Sequence, residues 1–297
     1  MVNLENVSKF IIQDMSLHVP VGACVGLIGA SGAGKTTLLK LICGLLQPEA
    51  GYVRTLGKEP VAQHGRYGRE MSVFLVGRSA LEDGDTVKQS FAMAQSIYRL
   101  EKERFRQEYE ELATCFGFRE YADCALNGLS LGQRMRVELA MALIGNPKLI
   151  LLDEPNVGLD ENGKKILWEQ LARKCRQETT VLVASHSLAD ISKVCDRIAF
   201  LEKGRLLYYG SEKHLRGSLA SIDRMELKLA GRLPDLEDLP LQGYEIEGDR
   251  LCLSYDTNYV SSAEILGLIL RQTKVAEMNI SRPDLEDIVV LMQKRKE

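Results

Sequence analysis

No stretch of this sequence is long and apolar enough to cross a bilayer. The longest weakly polar segment, 19–34, is interrupted by Pro20 and five glycines, and it is shorter than the ~20 apolar residues that a spanning helix needs. The first ten residues also lack the basic start and the apolar run of a secretory signal peptide. Together these features predict a protein that remains in the cytoplasm.

An excess of positive charge is absent as well. The 297 residues include 38 Lys and Arg against 41 Asp and Glu, which gives a formal net charge of -3. A protein that grips phosphate backbones over a broad surface carries an excess of basic residues. We therefore expect no nucleic-acid partner.

The seven cysteines show no metal-binding arrangement. They are scattered, odd in number, and form neither a CxxC pair nor a Cys/His cluster with ligand spacing. Disulfides persist mainly in oxidising compartments. Since the chain is predicted to remain in the cytoplasm, we expect reduced thiols.

The sequence does contain enough apolar material for a packed core. Hydrophobic residues make up 45% of the chain, proline occurs only 8 times, and the length predicts about two domains. Continuous apolar runs at 23–28, 148–152 and 179–184 are typical of strands buried on both faces, and amphipathic helices are predicted over 87–118. This order indicates an α/β fold.

The last quarter of the chain has a different order of elements. A hairpin is predicted to turn at Lys203 and Gly204, and the pattern changes near residue 217. Beyond it the predicted elements are strands at 225–230, 244–247, 250–255 and 275–280, a helix over 261–272, and a final helix that begins at Pro283. From 223 to 297 there are 10 Lys and Arg against 15 Asp and Glu. This tail is predicted to be a small α+β domain that does not bind nucleic acid.

A phosphate-binding loop is predicted where the first apolar strand ends. The segment GASGAGKT, at 29–36, fits the pattern G-x-x-x-x-G-K-[ST], in which backbone N–H groups surround a phosphate at a helix N-terminus. Lys35 is expected to reach the β- and γ-phosphates, and the Thr36 hydroxyl to bind Mg²⁺. The predicted nucleotide-binding residues of the loop are Gly29, Ala30, Ser31, Gly32, Ala33, Gly34, Lys35, Thr36 and Thr37.

Two further segments that follow this loop in the chain carry side chains suited to the same site. In LILLDEP, at 149–155, a buried strand ends in Asp153, which is placed to hold magnesium, and Glu154, which is placed to polarise an attacking water. In LSLGQ, at 129–133, Ser130 is predicted to cap a helix. Either segment alone is weak evidence, but together with the loop they indicate a site for nucleoside triphosphate hydrolysis.

These segments resemble the motifs of the ATPase subunits of ATP-binding cassette (ABC) transporters. GASGAGKT is similar to the Walker A motif of that family, LSLGQ to its signature, and LILLDE to its Walker B motif. NVGLD, which ends at Asp160, is similar to its D-loop, and His186 follows VLVAS at the position of its switch histidine. The segment GQRMRVELAMAL and the segment RPDLEDIV near the end of the tail most resemble the drug and antibiotic exporter branch.

The resemblance implies a mechanism that needs two subunits. They close head to tail around two ATP molecules, so that Ser130, Gly132 and Gln133 serve the partner's nucleotide. Glu154 and His186 are the implied catalytic residues, with His186 at the γ-phosphate. Thr36 and Asp153 are the implied magnesium ligands.

Two positions depart from the family pattern. Gly77 stands where the family has a glutamine that contacts Mg²⁺ and faces the membrane subunit, so metal coordination and coupling to transport are open at this point. The family also stacks adenine on an aromatic residue ahead of the first strand. Phe10 stands near that place, and either adenine stacking or a core position is expected for it.

The resemblance implies a division of the chain and a function. Residues 1–216 are expected to form a P-loop ATPase domain with a mixed sheet and a helical subdomain at about 78–146, and 217–297 an accessory α+β domain. We expect an ATPase that uses ATP and Mg²⁺, pairs with itself or a homologue, and binds the cytoplasmic face of a separate membrane permease to export a hydrophobic or antibiotic-like compound. The alternatives are a soluble ATPase that acts on ribosomes or DNA, and a nucleotide-binding module with weak turnover.

Overall fold

The structure is a computed structural model that describes residues 1–63, 69–75, 81–218, 221–236 and 239–282. Its contacts divide the chain into two compact units, Met1–Gly210 and Ser211–Glu297. No helix in the described part of the chain is long and apolar enough to cross a membrane.

The first unit combines strands and helices along its whole length. In chain order it contains β1 (Val2–Lys9), β2 (Ile12–Val19), β3 (Cys24–Ile28), α1 (Lys35–Ile42), β4 (Ala50–Thr55), β5 (Met71–Phe74), α2 (Val87–Tyr98), α3 (Lys102–Cys115), α4 (Leu131–Leu143), β6 (Leu149–Asp153), α5 (Glu161–Arg176), β7 (Thr180–Ser185), α6 (Leu188–Ile191), β8 (Arg197–Glu202) and β9 (Arg205–Gly210).

The central sheet of this unit has the order β5-β6-β7-β3-β8-β9. Its strands are parallel except for β9, which runs antiparallel to β8. The three predicted apolar strands are β3, β6 and β7, and they lie side by side with every residue buried. The predicted α/β class and mixed sheet are therefore confirmed, and the carboxyl ends of these strands meet at one edge.

The predicted hairpin between β8 and β9 is confirmed. Lys203 and Gly204 both have positive φ, at 44° and 80°, as a two-residue type I′ turn requires. A Cβ on Gly204 would lie 1.6 Å from the Ile11 carbonyl oxygen. Only glycine therefore allows this hairpin to approach the β1–β2 turn so closely.

A second sheet of the unit, with the order β2-β1-β4, is antiparallel and was not predicted. Its signal was the alternation of Met15, Leu17 and Val19 with exposed polar residues in β2. Helix α1 packs its fully buried leucines, including Leu38 and Leu39, into the core cluster shared by the two sheets. Each such side chain contributes roughly 1.5–3 kcal/mol on burial, which fixes the helix that follows the glycine-rich loop.

Helices α2, α3 and α4 lie within the range predicted for the helical subdomain. The expected helices over 87–118 are α2 and α3, separated at Arg99, which ends α2 with a left-handed backbone at φ 50°. The aromatic rings of Phe91, Tyr109 and Phe118 form a cluster with centroids 5.1 to 5.8 Å apart. The outer bounds of the subdomain stay a prediction.

The second unit contains α7 (Glu212–Ser218), β10 (Ile222–Leu229), β11 (Leu241–Glu247), β12 (Arg250–Asp256), α8 (Ser262–Leu270) and β13 (Val275–Ser281). Its antiparallel sheet has the order β11-β12-β10-β13, and Ile265 and Ile269 of α8 share its core cluster. Strand β11 begins before the predicted residue 244, and its pairing with β12 is irregular between Leu241 and Gly243. The final helix predicted from Pro283 lies outside the described residues.

Candidate nucleotide-binding site

The glycine-rich loop joins the carboxyl end of β3 to the first residue of α1. A Cβ on Gly29 would lie 2.2 Å from the carbonyl oxygen of Leu201, and one on Gly34 would lie 2.7 Å from Ile12 Cδ1. Gly34 is also the N-cap of α1, with φ 105° and no side chain to occupy the first N–H groups of the helix. These groups are available to bind an anion at the positive end of the helix dipole.

The side chain of Lys35 folds back onto the backbone of this loop. Its ammonium group donates to the carbonyl oxygens of Gly29, at 2.6 Å, and Ala30, at 3.2 Å, and lies 3.5 Å from Glu154 Oε1. The residue is only 7% exposed. A buried positive charge therefore lies beside the N-terminus of α1, which has no side-chain cap, and the two together favour a phosphate.

Asp153, at the end of β6, faces the first turn of α1. Thr36 Oγ1 donates to Asp153 Oδ2 at 2.6 Å, whereas Asp153 Oδ1 is buried with no hydrogen-bond partner among the described residues. Burial raises the pKa of the Asp153 carboxyl, and the bond from Thr36 opposes the rise. A hydroxyl and a carboxylate with an unused oxygen are hard ligands that fit Mg²⁺.

Glu154 adopts a strained backbone next to this pair. Its φ is 45°, a left-handed conformation that costs a non-glycine residue roughly 1–2 kcal/mol. Its N–H donates to the carbonyl oxygen of Ala184 at 2.8 Å. Its Oε2 lies 2.9 Å from His186 Nδ1. This backbone conformation places the carboxylate between Lys35 and His186.

One pocket gathers most of the predicted site residues. It is lined by Ile11, Ser31, Gly32, Ala33, Gly34, Lys35, Thr36, Thr37, Asp153, Glu154, Val157 and His186. Gly29 and Ala30 are not among the lining residues, but their carbonyl oxygens accept from Lys35. Ile11 was not predicted, and Val157 was predicted only as part of the D-loop segment. Nothing in their apolar side chains distinguished them from core residues.

Phe10 is not among the lining residues of this pocket. Its side chain is 69% exposed, so the expectation that it is a core residue is wrong. The residue begins the turn between β1 and β2 with φ 52°, and the Lys9 ammonium lies 4.6 Å from its ring centroid. Its role in stacking adenine stays a prediction.

The signature residues lie outside the pocket, at the start of α4. Ser130 is the N-cap, as predicted, and forms a capping box with Gln133: the Gln133 N–H donates to Ser130 Oγ and the Ser130 N–H donates to Gln133 Oε1. A Cβ on Gly132 would lie 3.1 Å from the carbonyl oxygen of Gly158. The signature therefore packs directly on the segment that follows Glu154.

That segment is the predicted D-loop, and Asp160 closes it. Asp160 caps α5 by accepting from the Gly163 N–H and binds Arg136 of α4 through both of its oxygens, at 2.7 and 2.8 Å. These two interactions hold the pKa of the Asp160 carboxyl below its usual range. At the other end of the segment, Asn156 donates to Asp190 of α6 at 2.9 Å. Arg136 was not predicted as a site residue, and Asn156 was predicted only as the first residue of the D-loop, without its contact with Asp190.

Gly77, the departure at the position of the family's glutamine, lies outside the described residues.

The loop after β3, the acids at the end of β6 and the histidine after β7 define a P-loop nucleoside-triphosphate-binding protein. A family model described as ABC transporter matches residues 12–157. The ABC transporter ATP-binding protein NatA of Bacillus subtilis (strain 168) is 33% identical over 212 residues, which cover 71% of this chain and 86% of that protein. The chain therefore belongs to the ABC transporter family, as an ATP-binding subunit.

Further similarities extend along the chain. The Nod factor export ATP-binding protein I of Rhizobium sp. (strain N33) is 28% identical over 291 residues, which cover 97% of this chain and 93% of that protein. A dimeric structure of the ATP-binding cassette MJ0796, in a post-hydrolysis state bound to ADP and Pi, has a TM-score of 0.64 and 23% identity, and the match covers 71% of this chain and 98% of that chain. At this identity the structural likeness shows the fold alone.

Proposed function

We propose that this chain binds ATP with magnesium, hydrolyses the nucleotide within a dimer, and powers export through a separate membrane permease. The observation that carries the hydrolytic part is the convergence of Lys35, Thr36, Asp153, Glu154 and His186 on one pocket beside the helix N-terminus. This set supplies charge neutralisation, metal ligands and a base within one site.

Each of these residues has a distinct part in the proposed reaction. Lys35 neutralises phosphate charge, and the Thr36 hydroxyl and Asp153 carboxylate would hold Mg²⁺. Bound magnesium would supply further neutralisation of the phosphates. Glu154 orients a water molecule toward the γ-phosphate and accepts its proton. His186, 70% exposed at the pocket rim, fixes the Glu154 carboxylate and contacts the γ-phosphate.

The dimer is proposed because the signature lies away from the pocket of its own chain. Ser130, Gly132 and Gln133 then face the nucleotide held by a second subunit, with Asp160 at the junction. The MJ0796 cassette, which shares the fold, is dimeric. The second subunit is either another copy of this chain or a homologue.

The export role is supported by the names of relatives. One group of them consists of Nod factor export ATP-binding proteins, and the similarity to one of these includes the second unit of this chain. We propose a hydrophobic or antibiotic-like cargo and a position at the cytoplasmic face of the cell membrane, where a permease holds the subunit. Copurification of an integral membrane protein with the chain from membranes tests this part. Its recovery from the soluble fraction alone, when expressed with its genetic neighbours, would contradict it.

The substitution Glu154→Gln tests the hydrolytic part. We expect phosphate release to fall at least about 100-fold, since a general base contributes that much, while ATP binding is retained and a dimer accumulates on size-exclusion chromatography. Glu169→Gln is the matched control, because Glu169 lies on the exposed face of α5. Undiminished phosphate release by Glu154→Gln would remove Glu154 from the role.

A further inference from the structure

Glu154 has a backbone conformation that needs support from its surroundings. Its φ of 45° lies in the left-handed region, and a non-glycine residue persists there only where neighbouring groups fix it. The Glu154 N–H donates to the Ala184 carbonyl oxygen of β7 at 2.8 Å. The Val157 N–H donates to the Glu154 carbonyl oxygen at 3.1 Å, which closes a turn within the segment. Of these two bonds, only the first joins the segment 154–160 to another element.

A side-chain bond joins the same segment to α6. Asn156 Nδ2 donates to Asp190 Oδ2 at 2.9 Å. The other polar atom of this amide, Asn156 Oδ1, is buried without a hydrogen-bond partner among the described residues. Asp190 is therefore the group that orients the Asn156 side chain, and Asn156 lies within the turn that Glu154 begins.

Asp190 lies on an element that is itself fixed. The next residue, Ile191, is fully buried, and a Cβ on Gly26 of β3 would lie 2.0 Å from Ile191 Cγ2. Helix α6 therefore packs directly onto the backbone of a central strand. The Asp190 side chain is 19% exposed, and its second oxygen, Oδ1, accepts from Lys193 at 3.1 Å. The carboxylate is thus a firm attachment point for the segment that it binds.

The segments 154–160 and 186–191 are joined at two places. The first is the contact of Glu154 Oε2 with His186 Nδ1 at 2.9 Å, which lies at the rim of the pocket, where His186 is 70% exposed. The second is the bond of Asn156 with Asp190, which is partly buried. Because a hydrogen bond is stronger in a less polar environment, the second contact is the more effective restraint on the relative position of the two segments.

We propose that Asp190 is a positioning residue for the hydrolysis proposed above, on which this role depends. Through Asn156, it keeps Glu154 in its strained conformation, with the carboxylate beside His186. Asp190 does not line the nucleotide pocket, so its loss affects the rate of hydrolysis and not the binding of ATP. Without this restraint, Glu154 relaxes toward an ordinary backbone conformation, and its carboxylate spends less time where it orients water.

Three variants of the full chain test this role through the kinetics of ATP hydrolysis. Asp190→Ala removes both contacts of the carboxylate. We expect kcat to fall about tenfold, because a partly buried hydrogen bond to a charged group is lost, while the KM for ATP stays within about twofold of the parent value. Asp190→Asn keeps an oxygen that accepts from Asn156 and should recover most of the kcat. Lys193→Met is the matched control: it removes only the ion pair, in which Lys193 is 62% exposed, and should leave both constants unchanged.

Hydrogen exchange supplies a readout that needs no ATP. In Asp190→Ala, the amides of Glu154 and Val157 should exchange about tenfold faster than in the parent chain, because the turn that they hold opens more often, while the amides of β6 keep their rates. Lys193→Met should match the parent. A parent chain that releases no phosphate would contradict the proposed hydrolysis, and the exchange rates would still decide whether Asp190 restrains the segment.

Three outcomes would overturn the proposal. One is a parent chain that hydrolyses ATP and an Asp190→Ala variant with the same kcat. Another is unchanged exchange of the Glu154 and Val157 amides in that variant. The third is an Asp190→Asn variant that loses as much kcat as Asp190→Ala, since the bond with Asn156 would then not be the cause. If Asp190→Ala does not fold, Asp190→Ser takes its place, because the serine side chain is too short to keep the bond.

Discussion

The nucleotide pocket and the signature surface hold their polar groups differently. The polar lining of the pocket comes from residues 31–37, 153–154 and 186, and the signature surface is formed by residues 130–136 and 156–160. In the pocket, Asp153 Oδ1 is buried without a partner among the described residues, and the Glu154 backbone is strained. The Lys35 ammonium rests on backbone carbonyl oxygens. The pocket thus contains groups that a ligand would satisfy.

On the signature surface, most of the named polar side chains bind groups of the chain itself. Ser130 and Gln133 form a reciprocal pair, and Asp160 accepts from Arg136 and from a backbone N–H. Asn156 Oδ1 is buried without a hydrogen-bond partner among the described residues, but the charged group and the helix cap of this surface are paired within the fold. Substitutions in the pocket should therefore chiefly reduce ligand binding, whereas substitutions on the signature surface should chiefly destabilise or displace α4 and α5.

The largest effect is expected for Lys35→Met. Loss of the ammonium group removes charge-assisted hydrogen bonds to phosphate, so we expect the Kd for ATP to rise about 100-fold. Methionine retains most of the buried apolar stem, and Tm should change by no more than about 2 °C. Fluorescent nucleotide titration and calorimetry measure the two quantities.

Lys165→Met is the control for this prediction, because Lys165 is 74% exposed on α5. It should leave both the Kd and Tm unchanged. If Lys35→Met instead unfolded the chain, the pocket would be a structural element like the signature surface, and the comparison would fail.

A smaller effect, on stability and not on ligand binding, is expected for Asp160→Asn. It weakens the bond to Arg136 at an exposed position, so Tm should fall by about 2 °C, with ATP affinity of the isolated subunit unchanged. Folding depresses the pKa of Asp160, so its stabilisation is present above the usual aspartate range and is lost as the pH falls through the folded value.

The difference in Tm between the parent chain and Asp160→Asn should therefore vanish at low pH. Calorimetry over a pH series measures it. A difference that persists when the carboxyl is protonated would show that the charge of Asp160 does not stabilise the signature surface.

Much of the fold was predictable because its strongest signals are local. The continuous apolar runs of β3, β6 and β7 are typical of buried strands. The Lys203–Gly204 pair is typical of a two-residue hairpin turn, because glycine adopts positive φ readily. Strand β5 was not predicted: it is only four residues long, and short apolar runs do not distinguish strand from helix.

The pocket was predictable from the loop and the strand ends because parallel strands bring their carboxyl ends together. The contacts of Arg136 with Asp160 and of Asn156 with Asp190 were not, since they join residues 24 and 34 positions apart. Polar pairs of this kind depend on how helices pack, which no local pattern encodes. For Phe10 the sequence allowed two positions, and the structure excluded the buried one.

The smallest effect is expected for Phe10→Ala. Phe10 is exposed at the turn beside Ile11, which lines the pocket, so its removal should leave Tm unchanged. If its ring stacks on adenine, the KM for ATP should rise about threefold, because one aromatic contact contributes roughly 0.5–1.5 kcal/mol, while kcat stays the same. Phe10→Tyr keeps the ring and should restore the KM. An unchanged KM in Phe10→Ala would remove Phe10 from base contact and leave Ile11 as the side chain of this turn that lines the pocket.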